Sequence, residues 1–147
     1  ELSRHSRSKK AFSFIIGDID HFKKINDTYG HDTGDYVLSE VAKGLKECLR
    51  NQDILCRWGG EEFLALLPET DLQGGTTLAE KLRAKIEKTI FPYTEHAVQA
   101  TMSLGVSAYD KTDKDASSCI KRADECLYEA KRTGRNKVVA QRQITAG

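Results

Sequence analysis

The 147-residue sequence predicts an α+β fold in which a central, five-stranded, mostly antiparallel sheet is flanked by helices. Three observations predict it. Short apolar runs at residues 12–17, 54–58 and 63–67 have the length of strands. The last two of these runs face each other across Gly59-Gly60-Glu61-Glu62, which reads as a hairpin tip. Between and beyond them, apolar residues recur at three- and four-residue spacing, the period of a helix with one buried face.

Taken in order, residues 12–17 make a buried strand that delivers Asp18 and Asp20 to its C-terminal end. A short helix follows from about Asp20, read as its N-cap, to Tyr29, with Gly30 placed to end it. After a turn at 31–34, Val37, Leu38, Val41, Leu45 and Leu49 predict a second helix of about four turns. The hairpin comes next. Leu78, Leu82 and Ile86 mark a third helix, and the alternation over 97–108 predicts one long strand. Ile120, Ala123, Leu127 and Ala130 mark a last helix closed near Gly134, and 137–140 makes a terminal strand. Pro68 and Pro92 each follow an element, where they stop it without breaking it. One tight hairpin set among strands and crossing helices is a ferredoxin-like or polymerase-palm-like layout.

Composition narrows the function. A chain of this length with 39% hydrophobic residues buries one ordinary core, and residues 1–147 read as a single domain. With 23 basic and 22 acidic residues the net charge is +1, which gives no broad electrostatic reason to bind DNA, RNA or an anionic membrane. Phosphate binding must therefore be local. No apolar stretch approaches the roughly 20 residues that cross a bilayer, and residues 1–10 are polar and basic without a signal-peptide core, so a soluble, cytoplasmic domain without membrane contact of its own is expected, with a membrane anchor in missing upstream segments as the alternative for the full-length protein. Cys48, Cys56, Cys119 and Cys126 lack metal or redox spacing and lie within apolar patterns, which predicts reduced, mostly buried thiols. The four histidines form no zinc-protease pattern.

The chemistry concentrates at two acidic points. Glu61 and Glu62 sit beside two glycines that let a large ligand approach bare backbone, and adjacent carboxylates repel unless a cation lies between them. If the first strand pairs with a central hairpin in the middle of the sheet, Asp18 and Glu61 become neighbours, a small acid count that suffices for Mg²⁺. The alternative for Asp18 alone is a helix-capping acid, and for the hairpin an ordinary acidic turn.

These residues belong to a longer series. Asp18-Ile19-Asp20-His21-Phe22-Lys23, Ile25-Asn26-Asp27, Gly30-His31 and Gly34-Asp35 precede Arg57 and Gly59-Gly60-Glu61-Glu62-Phe63. Thr101, Ser103 and Gly105 follow, then Ala123-Asp124, Leu127-Tyr128, Ala130-Lys131 and Gly134-Arg135-Asn136. In this order the series, spanning about residues 11–138, resembles the GGDEF domain of diguanylate cyclases, in its GGEEF form. The resemblance implies an enzyme that condenses two GTP into cyclic di-GMP with loss of two pyrophosphates, across a homodimer in which each half-site holds one GTP.

By family position, Asp18, the carbonyl of Ile19 and Glu61 would hold Mg²⁺, two ions per half-site, with Glu62 close by; Mn²⁺ accepts the same oxygen donors. Asp18, Glu61 and Glu62 would be the catalytic acids. Asn26 and Asp35 would read guanine, whose N1–H and 2-amino donors match a carboxylate, and a buried Asp35 would reject adenine. His31 and Leu38 would border base and ribose, and Gly60 would make room for the nucleotide. The triphosphate would lie on Lys131, Arg135 and the backbone N–H groups of His21, Phe22 and Lys23. Without the resemblance, Asn26 and Asp35 also suit helix caps, and Lys131 with Arg135, four apart on the last helix, suits a solvated basic face.

Arg50 and Asp53 form an Arg-x-x-Asp whose second residue lies just upstream of the hairpin. The resemblance implies a cyclic di-GMP inhibitory site there, aided by Arg57 and by a basic residue such as Lys81 or Arg83; as a bare pattern it is a surface ion pair. The family's opening helix is missing, and residues 1–10 look like its tail. The chain therefore reads as a piece of a longer protein with an upstream sensory or dimerisation part. A sensor module that binds GTP or cyclic di-GMP without turnover, and a cyclase making a 3′,5′-cyclic mononucleotide, are the competing readings.

Overall fold

The computed structural model describes residues 11–110 and 112–142, so the expected helix tail at 1–10 lies outside the described residues. The elements are β1 (Phe12–Ile19), α1 (Phe22–Tyr29), α2 (His31–Cys48), β2 (Ile54–Gly59), β3 (Glu62–Pro68), α3 (Leu72–Lys88), β4 (Ile90–Tyr93), β5 (His96–Gln99), β6 (Met102–Ala108), α4 (Ala116–Arg132) and β7 (Val138–Ala140). The main sheet has five strands in the order β2-β3-β1-β6-β7. Its pairings are antiparallel except β6 with β7, so the predicted palm-like, mostly antiparallel sheet is what the chain forms.

β1 is the centre of this sheet, and all eight of its residues are buried. Helices cover both faces, which is why its sequence reads as a continuous apolar run rather than an alternation. Ile15, Ile19, Phe63, Ala65, Leu67, Met102, Leu104 and Val106 pack with Val37, Val41 and Leu45 of α2 and Leu82 and Ile86 of α3. The opposite face sets Phe12, Phe14, Ile16 and Leu64 against Cys119, Ala123 and Leu127 of α4. At Gly105 of β6 the helix lies directly on the strand. A Cβ built there would stand 2.1 Å from the Ala123 carbonyl oxygen and 2.4 Å from the Leu127 nitrogen, so only glycine fits.

Four local expectations give way. The hairpin β2–β3 occupies one edge of the sheet rather than its middle. Residues 31–34 are the first turn of α2, separated from α1 by Gly30 alone. The single long strand over 97–108 is two strands, since β5 leaves the sheet to pair with β4 as a separate ribbon and only β6 joins β1. Pro92 lies inside β4, opposite Ala97; a two-stranded ribbon leaves one edge of each strand unpaired, where a missing N–H is tolerated. Of the four thiols, Cys119 is buried, Cys48 and Cys126 are partly covered, and Cys56 is exposed because edge strand β2 has no helix over it.

Candidate functional site

Three acids converge where β1 ends. The β1–β3 register sets Asp18 opposite Glu62, and the Ile19 N–H donates to the Glu61 carbonyl across 3.4 Å. Asp18 is 4% exposed. Its Oδ2 accepts a hydrogen bond from the Lys131 ammonium, while its Oδ1 is buried with no hydrogen-bond partner. Burial pushes the Asp18 carboxyl up to about 6; the Lys131 bond and charge pull it down, and Glu61 and Glu62 push it up. For Lys131, burial lowers the pKa, but the Asp18 bond and the Asp18, Glu62 and Glu61 charges outweigh it and leave it raised.

A buried carboxylate with one idle oxygen costs folding energy unless something positive meets it. Among the described residues no three His, Cys, Asp or Glu side chains are grouped to hold a metal on their own. The donor set that fits a hard divalent cation is smaller: Asp18, Glu61 and the Ile19 carbonyl, with water and phosphate oxygens completing an octahedron. Lys131 reaches this point because α4 is seated on β6 at Gly105, one turn and a half before.

The N-terminus of α1 lies just past the same strand end. His21 precedes it in a left-handed conformation, φ 55°, and the first-turn N–H groups of Phe22 and Lys23 have no acceptor within the helix. Asp20 is not the cap predicted for it. Its carboxylate turns inward, 6% exposed, and accepts hydrogen bonds from Thr101 Oγ1 (2.7 Å), Ser103 Oγ (2.7 Å) and the backbone N–H of Asn136 (3.0 Å). A signal for this was present: Ser103, fully buried on an apolar strand, needs a partner; the register sets it opposite Asp18, and the acid two residues on supplies the acceptor. Arg135 is not on the last helix with Lys131, because α4 ends at Arg132; it sits in the turn beyond, φ 63°, followed by Asn136 at φ 49°.

Asn26 and Asp35 do not act as caps either, since each lies within its helix, in α1 and α2 respectively. The Asn26 side-chain oxygen is buried without a hydrogen-bond partner and presses on Gly34, where a Cβ would come within 1.7 Å of it. Asp35 is exposed rather than buried, as is His31; at the start of α2 it is Thr33 and Gly34 that turn inward, Gly34 against Asn26 of α1. Leu38 is 7% exposed and part of the main core. Gly60 has open space around it, so the hairpin tip is unobstructed on the Gly59-Gly60 side.

Arg50 and Asp53 pair with each other. The Arg50 guanidinium donates to Asp53 Oδ1 (2.9 Å) and Oδ2 (3.3 Å), the Arg50 backbone N–H to Oδ2 (2.8 Å), and Nη2 also to the Pro68 carbonyl (2.7 Å) and Thr70 Oγ1 (2.8 Å). The Asp53 side chain is 0% exposed and that of Arg50 46%, beside a cavity of about 540 Å³ that also touches Cys48, Asp71 and Leu78. Arg57 is engaged elsewhere, donating to the Gly60 carbonyl at 2.6 Å and bracing the hairpin. Arg83 is held by Glu80, Glu87 and Asn136, whereas Lys81 is exposed.

Comparison with known proteins gives this arrangement a family. Residues 1–137 match the model for "Diguanylate cyclase, GGDEF domain". The chain is 43% identical over 137 residues to Diguanylate cyclase A of Treponema denticola, covering 93% of this chain and 37% of that protein. It superposes with a TM-score of 0.90 and 36% identity on the active GGEEF domain of a diguanylate cyclase from Vibrio cholerae, over 97% of this chain and 90% of that one. The GGDEF domain of DgcB from Caulobacter crescentus, solved in complex with c-di-GMP, gives 0.89 and 31% identity over 95% and 82%. With a family model spanning most of its length and this fold, the chain belongs to the GGDEF family.

Proposed function

We propose that the chain is the catalytic domain of a diguanylate cyclase, each copy binding one GTP and two copies together forming cyclic di-GMP. The observation that carries this reading is the idle, buried Oδ1 of Asp18 beside Glu61, Glu62 and Lys131. Nothing in folding favours such an oxygen; a site for a cation and a polyphosphate does.

The guanine lies against α1 and α2, read by Asn26 and by Asp35, whose exposure means that the base itself must shield the contact. Discrimination against adenine then rests on hydrogen bonds made in a partly open site, so Asp35 contributes less than a fully desolvated carboxylate would. His31 flanks the base, and Leu38 supports the pocket from below. The triphosphate runs to the start of α1, where the N–H groups of His21, Phe22 and Lys23 and the helix dipole favour anions. Lys131 exchanges its hydrogen bond to Asp18 for one to phosphate, and Arg135 binds from the turn beyond α4.

Asp18, Glu61 and the Ile19 carbonyl would hold the divalent ions, Mg²⁺ or Mn²⁺, two per half-site, with Glu62 at the rim. Bound there, such ions would neutralise the phosphates and lower the pKa of the attacking hydroxyl. The protein's remaining task is alignment: the 3′-hydroxyl of one GTP must face the α-phosphate of the other, with pyrophosphate as leaving group. One half-site cannot do this, so a homodimer is required. Product binding at Arg50 and Asp53 supplies inhibition, and it requires those two side chains to release each other first.

The test is a product assay on artificially dimerised protein with GTP and Mg²⁺, read by mass. Cyclic di-GMP is expected, and Glu61→Gln is expected to abolish turnover more than GTP binding. A 3′,5′-cyclic mononucleotide would replace this reading with that of a different cyclase, and binding without turnover under forced dimerisation would leave a sensor module.

A further inference from the structure

Asp18 and Asp20 lie two residues apart on one side of the strand line, yet their carboxylates are in opposite conditions. Asp18 has an idle oxygen; both oxygens of Asp20 are filled by protein donors, Oδ1 by Ser103 and Oδ2 by Thr101 and the Asn136 N–H. The Asp20 N–H in turn donates to the Thr101 carbonyl at 2.8 Å, so the residue is tied through its backbone to the residue just before β6 and through its side chain to β6 itself.

The third of those side-chain bonds reaches a strained turn. Arg135 and Asn136 are consecutive non-glycine residues in the left-handed region, at φ 63° and 49°. Such residues persist only where their surroundings hold them. The Arg135 N–H is taken by the Ala130 carbonyl at 2.9 Å, the Asn136 N–H by Asp20, and the Asn136 side chain by Arg83 and Glu87 of α3, each at 2.8 Å. Of these anchors, Asp20 is the one rooted at the strand end beside Asp18.

We infer that Asp20 is a positioning residue: its Oδ2 pins the left-handed Arg135–Asn136 turn and thereby aims Arg135 at the triphosphate, without touching nucleotide or metal. This rests on the placement of Arg135 at the triphosphate proposed above. Asparagine can do the same job. Its amide oxygen can take the place of Oδ2, and its amide nitrogen can donate to the Ser103 hydroxyl, which also accepts.

The experiment measures affinity for 3′-deoxy-GTP, which cannot turn over, and for GMP. Asp20→Ala and Arg135→Ala are each expected to weaken 3′-deoxy-GTP about tenfold or more while leaving GMP within about twofold, the loss of one charge-assisted phosphate contact. The double variant is expected to be no weaker than the worse single one, because both remove the same contact. Asp20→Asn is expected to restore affinity to within about threefold of the parent, the scatter allowed for a near-isosteric hydrogen-bond swap. An Asp20→Asn variant as impaired as Asp20→Ala would overturn the inference, since a carboxylate charge and not a hydrogen-bond acceptor would then be required. Equal losses for GMP and 3′-deoxy-GTP, or additive effects, would overturn it as well. If Arg135→Ala alone leaves 3′-deoxy-GTP binding unchanged, the placement of Arg135 fails, and its positioning by Asp20 with it.

Discussion

Replacing Asp18 with asparagine asks how much the candidate site costs the fold. The Asp18 carboxyl titrates near 6 in the folded chain against an ordinary 3.8. A gap of about two units, at about 1.36 kcal/mol per unit, is worth roughly 3 kcal/mol. Because the folded value is the raised one, both states carry the proton below about pH 4 and the group is neutral to stability there. As pH climbs from about 4 to 6, the unfolded chain releases its proton while the folded chain keeps it, and stability falls; above about 6 the penalty is constant. Other acids act in the opposite sense over nearby pH, with Glu47 held low by Lys85, Glu80 by Arg83, Glu87 by Asn136 and Arg83, and Asp113 by Arg122. The informative quantity is therefore the parent-minus-variant difference, in which those groups cancel. Urea unfolding in EDTA at several pH values between 4 and 7.5 should show this difference falling by roughly 3 kcal/mol as pH rises. A difference that stays flat would refute the reasoning, because it would mean that Asp18 is not paying a burial cost at all. Adding Mg²⁺ at pH 7.5 should raise the stability of the parent more than that of Asp18→Asn.

Two further substitutions probe the flanks of the site. Gly34→Ala forces a Cβ to within 1.7 Å of the Asn26 side-chain oxygen, so the amide must swing away; affinity for guanine nucleotides is expected to fall about tenfold while thermal stability changes by no more than about 1 kcal/mol, and unchanged affinity would mean that Asn26 does not read the base from this position. Arg50→Ala strips Asp53, whose side chain is fully buried, of its guanidinium partner; the concentration of cyclic di-GMP giving half-inhibition is expected to rise at least tenfold with a loss of about 1–3 kcal/mol in stability, and unchanged inhibition would remove this pair from product binding.

The fold was legible because its strongest signals are local and mutually consistent. β1 announces itself by an unbroken apolar run, and the hairpin by two glycines between two such runs. What escaped were features decided by contacts between distant segments. An alternating sequence looks the same whether its strand stays in one sheet or, as at Ala100–Thr101, breaks and hands four residues to a ribbon. The left-handed residues His21, Arg135 and Asn136 carry no glycine to betray them, so Arg135 reads as one more helical position. Asp20 resembles a helix cap because the acid before a helix usually is one; here the hydroxyls of buried Ser103 and half-buried Thr101 outcompete the helix N–H groups for it. The convergence of Asp18 with Glu61 and Glu62 was readable from strand pairing alone, whereas the Lys131 contact required knowing where α4 crosses the sheet. The exposure of Asp35 and the core position of Leu38 depend on packing around the start of α2, which spacing does not reveal.

The seat of α4 on Gly105 also limits how such a domain can be controlled. Backbone meets backbone there, so the helix has no room to advance, and retreat would uncover Cys119, Ala123 and Leu127 together. Lys131 and Asp18 are thus parts of one rigid block, like two teeth of the same gear. A signal reaching such a domain would meet large resistance in trying to deform this block. It would meet much less in turning one whole block toward another, so if two copies are needed, the natural on-switch is their mutual orientation.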